Sequence, residues 1–161
     1  MIYDDAVEFA AALPRMQPLA GLDFGTKTIG VALSDVMISV ASPLLTIKRV
    51  KFTDDAVALQ KIIADRRVGG LVLGLPRNMD GTEGPRAQST RAFARNFDRL
   101  QPIPILLWDE RLSTVAAERA LLEADMSRMR RSEVIDHVAA GFILQGALDR
   151  LAHLRREQRD E

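Results

Sequence analysis

Three carboxylates occupy positions where acidic side chains are uncommon unless they carry out chemistry. Asp23 lies inside the apolar run Leu19–Phe24, although acidic residues are depleted in strands. Burying an ionised carboxylate costs free energy unless it is paired or coordinates a metal. Asp23 could instead end its strand and hydrogen-bond the following turn, and its position alone leaves both interpretations open.

Two more acids close a second strand-like run, Ile103–Asp109, which is followed by Glu110. Ligands of open α/β sheets collect beyond the carboxyl ends of parallel strands. Because side chains alternate along a strand, only one of Asp109 and Glu110 should face such a site. The longer side chain of Glu110 favours it, Asp109 remains the alternative, and a purely structural pairing with Arg111 is a further interpretation.

The third carboxylate, Asp136, falls within an apolar helical pattern. A wheel of about 100° per residue places the buried face at Ile135, Val138, Ala139, Phe142 and Ile143. Asp136 lies on the edge of that face, so it should point toward the sheet. An acid near Ser132 could alternatively stabilise the helix N-terminus, but position 136 is late for that role.

Acids from two strands and one helix could meet at one end of a sheet, where they would repel one another if left unneutralised. Mg²⁺ and Mn²⁺ prefer oxygen ligands and keep exchangeable waters for substrate phosphates. Two such ions can activate a water and stabilise the leaving oxygen of an in-line displacement. We therefore expect Asp23, Glu110 and Asp136 to bind one or two divalent ions and to be the catalytic residues.

The elements that must position these acids follow from the apolar periodicity. Three early strands joined by hairpins and followed by alternating strands and helices indicate an α/β fold with a five-stranded mixed sheet flanked by helices. Thr53 is the expected N-cap of the first long helix. The strands are predicted at Leu19–Phe24, Thr28–Ser34, Pro43–Lys48, Leu71–Leu75 and Ile103–Asp109, and the helices at about 53–67, 86–100, 114–124 and 132–155.

Length and composition restrict the class of protein. The 161 residues suit one domain, predicted at 18–155, with an N-terminal extension at 1–17 that could hold a short helix and a charged tail at 156–161. The absence of cysteine excludes disulfides and thiolate zinc sites. Without a membrane-length apolar run or a basic leader, we expect a cytoplasmic protein. The balance of 22 basic and 22 acidic residues argues against strong non-specific nucleic-acid binding.

Five motifs together resemble the YqgF (RuvX) family, in order and in spacing, over about residues 18–148. They are Gly21-Leu22-Asp23-Phe24-Gly25-Thr26-Lys27-Thr28-Ile29-Gly30-Val31-Ala32, Val72-Leu73-Gly74-Leu75-Pro76, Asn78-Met79-Asp80-Gly81-Thr82, Asp109-Glu110-Arg111-Leu112-Ser113-Thr114 and Ile135-Asp136-His137-Val138-Ala139-Ala140. The resemblance implies a ribonuclease H-like fold related to Holliday-junction resolvases. Family members are described as pre-16S ribosomal RNA nucleases that act in ribosome maturation.

Carried over by position, the resemblance implies metal binding by Asp23, Glu110 and Asp136. It places Lys27 and the loop residues Asn78, Asp80, Gly81 and Thr82 near the substrate, and it gives Arg111 the task of orienting the neighbouring carboxylates. Arg86 follows this loop at a helix start, where phosphate binding is physically natural. The family often carries lysines before the last acid, whereas this chain has Arg128, Arg130 and Arg131.

The expected function is that of a metal-dependent nuclease in the 5′-end maturation of pre-16S ribosomal RNA. Alternatives are a Holliday-junction resolvase acting on branched DNA, a non-catalytic nucleic-acid-binding module, and an actin-like ATP-binding protein, for which one domain is too small. The expected partners are precursor ribosomal RNA or branched DNA and a ribosome precursor, with no membrane. The protein could be a monomer or a homodimer.

The sequence supports three further predictions. Trp108 should pack in the core, and His137, one position beyond Asp136, should not be a ligand. The long segment 76–85 is expected to form a mobile substrate clamp rather than a simple connection.

Overall fold

In the part of the chain that the structure describes, runs of β-branched and leucine residues separated by glycine and proline form six strands, and four helices accompany them. The computed structural model describes residues 1–112 and 128–160, excepting the side chains of 128–136 and 160. The strands are β1 (Ile2–Tyr3), β2 (Leu19–Phe24), β3 (Thr28–Ser34), β4 (Ala41–Lys48), β5 (Gly70–Leu75) and β6 (Ile105–Asp109). The helices are α1 (Ala6–Ala12), α2 (Phe52–Arg66), α3 (Pro85–Leu100) and α4 (Arg128–Asp160), and a 3₁₀ turn covers Glu110–Leu112.

The strands form one mixed sheet in the order β1-β6-β5-β2-β3-β4. Strands β2, β3 and β4 are joined antiparallel, whereas β2, β5, β6 and β1 run parallel. The predicted mixed α/β sheet is therefore confirmed, but the number of strands was wrong by one. The extra strand, Ile2–Tyr3, is too short to produce a periodic signal and exists because it pairs with Ile105 and Leu106 of β6.

Two hydrophobic layers cover the two faces of the sheet. On one face, the side chains of Ala20, Leu22 and Phe24 pack with α2 and α3. On the other face, Leu19, Val72 and Leu106 pack with α1 and α4. Because strand side chains alternate, Asp23 faces the α4 layer.

Helix α4 lies almost directly on β2. A Cβ atom at Gly21 would be 2.6 Å from Cβ of Leu144 and 3.0 Å from the carbonyl oxygen of Ala140. A larger residue at position 21 would therefore push the helix away from the sheet. The glycine of the first motif thus sets the distance between Asp23 and the helix that carries residue 136.

Helix boundaries differ from the prediction at three places. Helix α2 begins at Phe52 with Lys51 as its N-cap, so the prediction of Thr53 as the cap was wrong. The N-cap makes no side-chain hydrogen bond to the helix, and the Asp55 carboxylate reaches back to the residue before the cap, where its Oδ1 accepts from the amide of Val50 at 3.0 Å. Helix α4 extends beyond 132–155 at both ends, because helix-forming arginines continue it without an apolar repeat. The predicted helix at 114–124 lies outside the described residues.

The N-terminal residues pack against the body of the domain. Asp5 caps α1 by accepting from the amide of Val7 at 2.9 Å, and Phe9 is fully buried in the α4 layer. Within the described ranges, none of the helices combines the length and apolar character needed to cross a bilayer.

Candidate metal centre

Asp23 lies near the carboxyl end of β2 and is only 4% exposed. It pairs with Gly30 of β3 on one side. On the other side, the register Leu22 to Leu73 makes Gly74 of β5 the next residue along. The sheet thus holds a buried carboxylate between two glycines, where little side-chain bulk surrounds it.

Glu110 begins the 3₁₀ turn directly after β6 and reaches back over β5. Gly74 pairs with Trp108 of β6, and a Cβ atom at Gly74 would be only 2.7 Å from Oε1 of Glu110. The Glu110 carboxylate therefore occupies the space that a side chain at position 74 would fill. Since Gly74 lies between β2 and β6, Asp23 and Glu110 flank it on the face that α4 covers.

The part of α4 that carries residue 136 lies at the level of Asp23 along the sheet. The Nδ1 atom of His137 is 3.0 Å from Oγ1 of Thr46. Thr46 pairs with Gly30, and Gly30 pairs with Asp23. The backbone of position 136 is therefore at the same end of the sheet as the two acids, one helical turn before Ala140. The Asp136 side chain lies outside the described residues.

Asp109, the alternative to Glu110, is engaged by arginines. Arg111 donates from Nη2 to Oδ2 at 2.7 Å and from Nε to both oxygens at 3.1 Å. Nη1 of Arg77 lies 3.6 Å from the same Oδ2. The hydrogen bond from Arg111 is the main cause that lowers the pKa of Asp109 below its usual value. The geometry therefore favours Glu110 over Asp109 as a metal ligand.

The segment Asn78–Thr82, which we call the motif loop, is hydrogen-bonded within itself. The amide of Gly81 donates to the Asn78 carbonyl at 2.9 Å, and Gly81 has φ of +88°, which favours glycine. The Thr82 hydroxyl donates to Asp80 Oδ1 at 2.6 Å and accepts from Asn78 Nδ2 at 2.9 Å. The Thr82 hydroxyl is also the main cause of the lowered pKa of Asp80. Mobility of this loop stays a prediction.

Arginines join the motif loop to its surroundings. Glu83 accepts from Nε and Nη2 of Arg91 at 2.6 and 2.8 Å, and these bonds lower the pKa of Glu83. Arg77 lies 3.4 Å from the same carboxylate. Arg111 packs beside Gly81, where a Cβ atom would be 3.5 Å from Nη1. The sequence analysis assigned no role to Arg91, because its separation of eight positions from Glu83 gives no helical signal.

The other predicted substrate-binding residues are Lys27 and Arg86. Lys27 is exposed in the turn between β2 and β3. Arg86 is exposed in the first turn of α3, next to Pro85. A cleft of about 120 Å³ joins these two regions and is lined by Phe24, Gly25, Thr26, Arg49, Pro85, Arg86 and Ser89. The sequence analysis assigned no role to Arg49.

The two aromatic expectations can be compared with the structure directly. Trp108 is 8% exposed and packs in the α4 layer, which confirms the prediction of a core residue. His137 contacts Thr46 on β4 rather than an acid in the described part of the chain.

Two of the three predicted acids, Asp23 and Glu110, have described side chains, and the structure brings them together. Within residues 1–112 and 137–159, no group of three His, Cys, Asp or Glu side chains could hold a metal ion. The side chain of the third predicted ligand, Asp136, lies outside those residues. Carboxylates are nevertheless the donors that Mg²⁺ and Mn²⁺ prefer, so the chemistry of Asp23 and Glu110 fits such an ion.

The sheet order and the helices on both faces define a ribonuclease H-like fold. RuvC of Thermus thermophilus has a similar structure, with a TM-score of 0.54 at 12% identity over 84% of this chain and 97% of RuvC. A structure of T. thermophilus RuvC in complex with a Holliday junction substrate gives a TM-score of 0.55 at 10% identity, over 84% of this chain and 96% of that one. At these identities the likeness concerns the fold alone.

The family model described as "RuvX: Holliday junction resolvase" matches residues 17–150, and the chain belongs to this family. A protein of Rhodobacter capsulatus is 69% identical over 156 residues, 97% of this chain and 98% of its own. A protein of Paracoccus denitrificans is 70% identical over 158 residues, 98% of this chain and 100% of its own. Both relatives carry the name "Putative pre-16S rRNA nuclease". The resemblance seen in the motifs is confirmed.

Proposed function

We propose that this protein is a divalent-metal-dependent nuclease that hydrolyses phosphodiester bonds in the 5′-end maturation of pre-16S ribosomal RNA. The observation that carries the proposal is the placement of the Glu110 carboxylate over Gly74, beside the buried Asp23. Asp23 lies within one strand and Glu110 directly follows another, and carboxylates brought close together repel each other, which a bound divalent cation would offset.

Asp23, Glu110 and Asp136 would hold the metal. One or two bound ions would activate a water and stabilise the leaving oxygen of the cleaved bond. The chain itself supplies the rigidity, since Asp23 is fixed within a strand paired on both sides. Trp108 and the residues of α4 close the apolar layer behind the acids and exclude water from it.

Substrate contacts would come from the rim of this centre. Lys27 and Arg86 are exposed cations on one side, where they can approach phosphate oxygens. On the other side, Arg111 is anchored by Asp109, and the motif loop lies beside it. We assign Asn78, Asp80 and Thr82 the role of keeping the loop in shape, because hydrogen bonds join them. The motif loop, including Gly81, would approach the substrate as one unit beside Arg111.

Substrate choice rests on the relatives, whose name specifies pre-16S rRNA. The description of the family model specifies Holliday junctions instead. A chain with no net charge cannot bind either nucleic acid by bulk electrostatics. Recognition must therefore come from local contacts, and a direct comparison of substrates can separate the two.

The experiment measures cleavage of a precursor rRNA fragment, an unrelated single-stranded RNA and a four-way DNA junction, each with Mg²⁺, Mn²⁺ or EDTA. The parent is compared with Asp23→Asn and with Asp65→Asn, which neutralises an exposed acid near the end of α2. We expect metal-dependent cleavage of the precursor in the parent and in Asp65→Asn, and none in Asp23→Asn.

Three outcomes would contradict this proposal in different ways. Preferred cutting of the four-way junction would make the protein a resolvase. Binding without cutting of every substrate would make it a non-catalytic module. Full activity of Asp23→Asn would remove the assignment of the metal centre.

A further inference from the structure

We propose that Arg49 is a positioning residue that shapes the turn after Asp23 for binding a substrate phosphate. This turn, Gly25–Lys27, is called the exit turn because the chain leaves β2 through it. The inference rests on the nuclease function proposed above and adds a residue to which no motif pointed.

Arg49 binds all three carbonyl groups of the exit turn. Its Nη1 atom donates to the carbonyl of Gly25 at 2.6 Å and to that of Thr26 at 3.2 Å. Its backbone amide donates to the carbonyl of Lys27 at 2.9 Å. Arg49, which directly follows β4, therefore fixes the orientation of three successive peptide groups that begin two positions after Asp23.

Arg49 is itself held in place before any substrate arrives. Its Cζ atom lies 4.2 Å from the centroid of the Phe24 ring, and that ring packs on Phe93 of α3 at 4.7 Å between centroids. Its Nε atom is 3.8 Å from Oδ2 of Asp55, a carboxylate that is only 3% exposed. Because the guanidinium is fixed by stacking and by charge, the exit turn can be held without a large further loss of entropy.

The orientation of these carbonyls determines where the neighbouring amides point. In a trans peptide the N–H lies opposite the C=O, and the described chain contains no cis peptide. With the carbonyls of Gly25 and Thr26 turned toward Arg49, the amides of Thr26 and Lys27 face the opposite side. Neither amide has a backbone acceptor among the described residues, and both residues are exposed.

Two consecutive outward amides in a turn can both donate to the same anion. The ammonium group of Lys27 adds a positive charge to the same turn. A phosphate held there would be bound by the residues three and four positions after Asp23 in the chain, and would fix the nucleic-acid backbone relative to the metal centre. Arg49 thus acts through the exit turn on substrate binding and leaves the metal ligands untouched.

The test compares Arg49→Gln and Arg49→Lys with the control Lys51→Gln. Lys51 is an exposed neighbour whose side chain makes no hydrogen bond to the start of α2, so Lys51→Gln removes the same charge as Arg49→Gln without removing contacts to the exit turn. We measure kcat and KM on the precursor RNA, Mn²⁺ affinity by calorimetry, and the amide NMR shifts of Thr26 and Lys27. For Arg49→Gln we expect KM to rise roughly tenfold, the scale of one lost charge-assisted hydrogen bond, while kcat and Mn²⁺ affinity stay within about twofold.

Arg49→Lys should recover part of the KM, because lysine keeps the charge but loses the planar fork, and the two amide shifts should move in both variants. The inference is overturned if Arg49→Gln matches Lys51→Gln, or if kcat and Mn²⁺ affinity also decrease while KM rises. If Arg49→Gln does not fold, Arg49→Lys against Lys51→Gln decides the same question. Should the parent bind RNA without cutting it, the nuclease proposal fails, and the dissociation constants of the same variants still test the role of Arg49.

Discussion

Replacing Gly74 with alanine should lower both the thermal stability and the rate of cleavage. The same change at an open site should leave both nearly unchanged. The new Cβ atom would lie 2.5 Å from Cδ1 and 3.1 Å from Cγ1 of Ile143, and 2.7 Å from Oε1 of Glu110. Ordinary carbon contacts are at about 3.5–4.0 Å, so each neighbour must move by roughly 1 Å.

The expected cost follows from where these neighbours are. Ile143 is fully buried between α4 and the sheet, and overpacking such a site costs about 1–3 kcal/mol. For a chain of this length that lowers Tm by roughly 3–10 °C. A displacement of about 1 Å of a group at the reacting centre can reduce the rate on the order of 100-fold, and here the displaced group is the Glu110 carboxylate.

Thermal unfolding and the precursor cleavage assay check this prediction with two further variants. Gly84→Ala is the control, because a Cβ atom there meets nothing within 4 Å, and we expect a change in stability below about 1 kcal/mol and full activity. Combining Gly74→Ala with Ile143→Val removes the atom at 2.5 Å, and it should restore part of the stability but not the activity.

Glycine in a strand interior normally costs about 0.5–1 kcal/mol relative to alanine. A more stable, fully active Gly74→Ala would therefore show that the space above position 74 is free, and would refute the reasoning about Glu110. Recovery of activity in the double variant would instead show that the contact with Ile143 of α4, and not the contact with Glu110, causes the loss of activity.

The remaining predictions concern the anchored acid and the N-terminal segment. The pKa of Asp109 is lowered in the folded protein, so its ion pair stabilises the fold above the ordinary aspartate value of 3.8 and loses that effect as the pH falls through the folded value. Asp109→Asn should therefore lower Tm at neutral pH and leave it nearly unchanged in acid, and an equal decrease at both pH values in thermal scans would contradict this. Phe9→Ala should destabilise the chain by about 3–5 kcal/mol, because Phe9 is fully buried; a variant unfolding like the parent in urea would show that residues 1–17 are a separate extension.

Local patterns were sufficient for β2 to β6 and for the location of Asp23. The apolar runs of β2 and β5 indicate directly which segments a core buries, and a carboxylate inside such a run is conspicuous without any structure. The motif spacing also predicted the family, because five short patterns in fixed order carry more information than any one of them.

Roles that depend on long-range contacts were not accessible in this way. Asp109 and Glu110 are neighbours in sequence, and what separates them is that Arg111 and Arg77 surround one while the other lies over Gly74. Arg49 was missed because it binds a turn more than twenty positions earlier, and no periodicity connects the two. The strand Ile2–Tyr3 was missed because only its partner β6 makes it a strand.

The amino-acid sequence by itself therefore determined the apolar periods, the kinds of side chain available for chemistry and the family. Those depend on neighbours a few residues apart, whose interactions are set by local geometry. The tertiary structure decided which acids share a face, which arginines are already engaged and which glycine leaves room for a carboxylate. These depend on the order of strands in the sheet, which brings β2, β5 and β6 side by side only after the whole chain has folded.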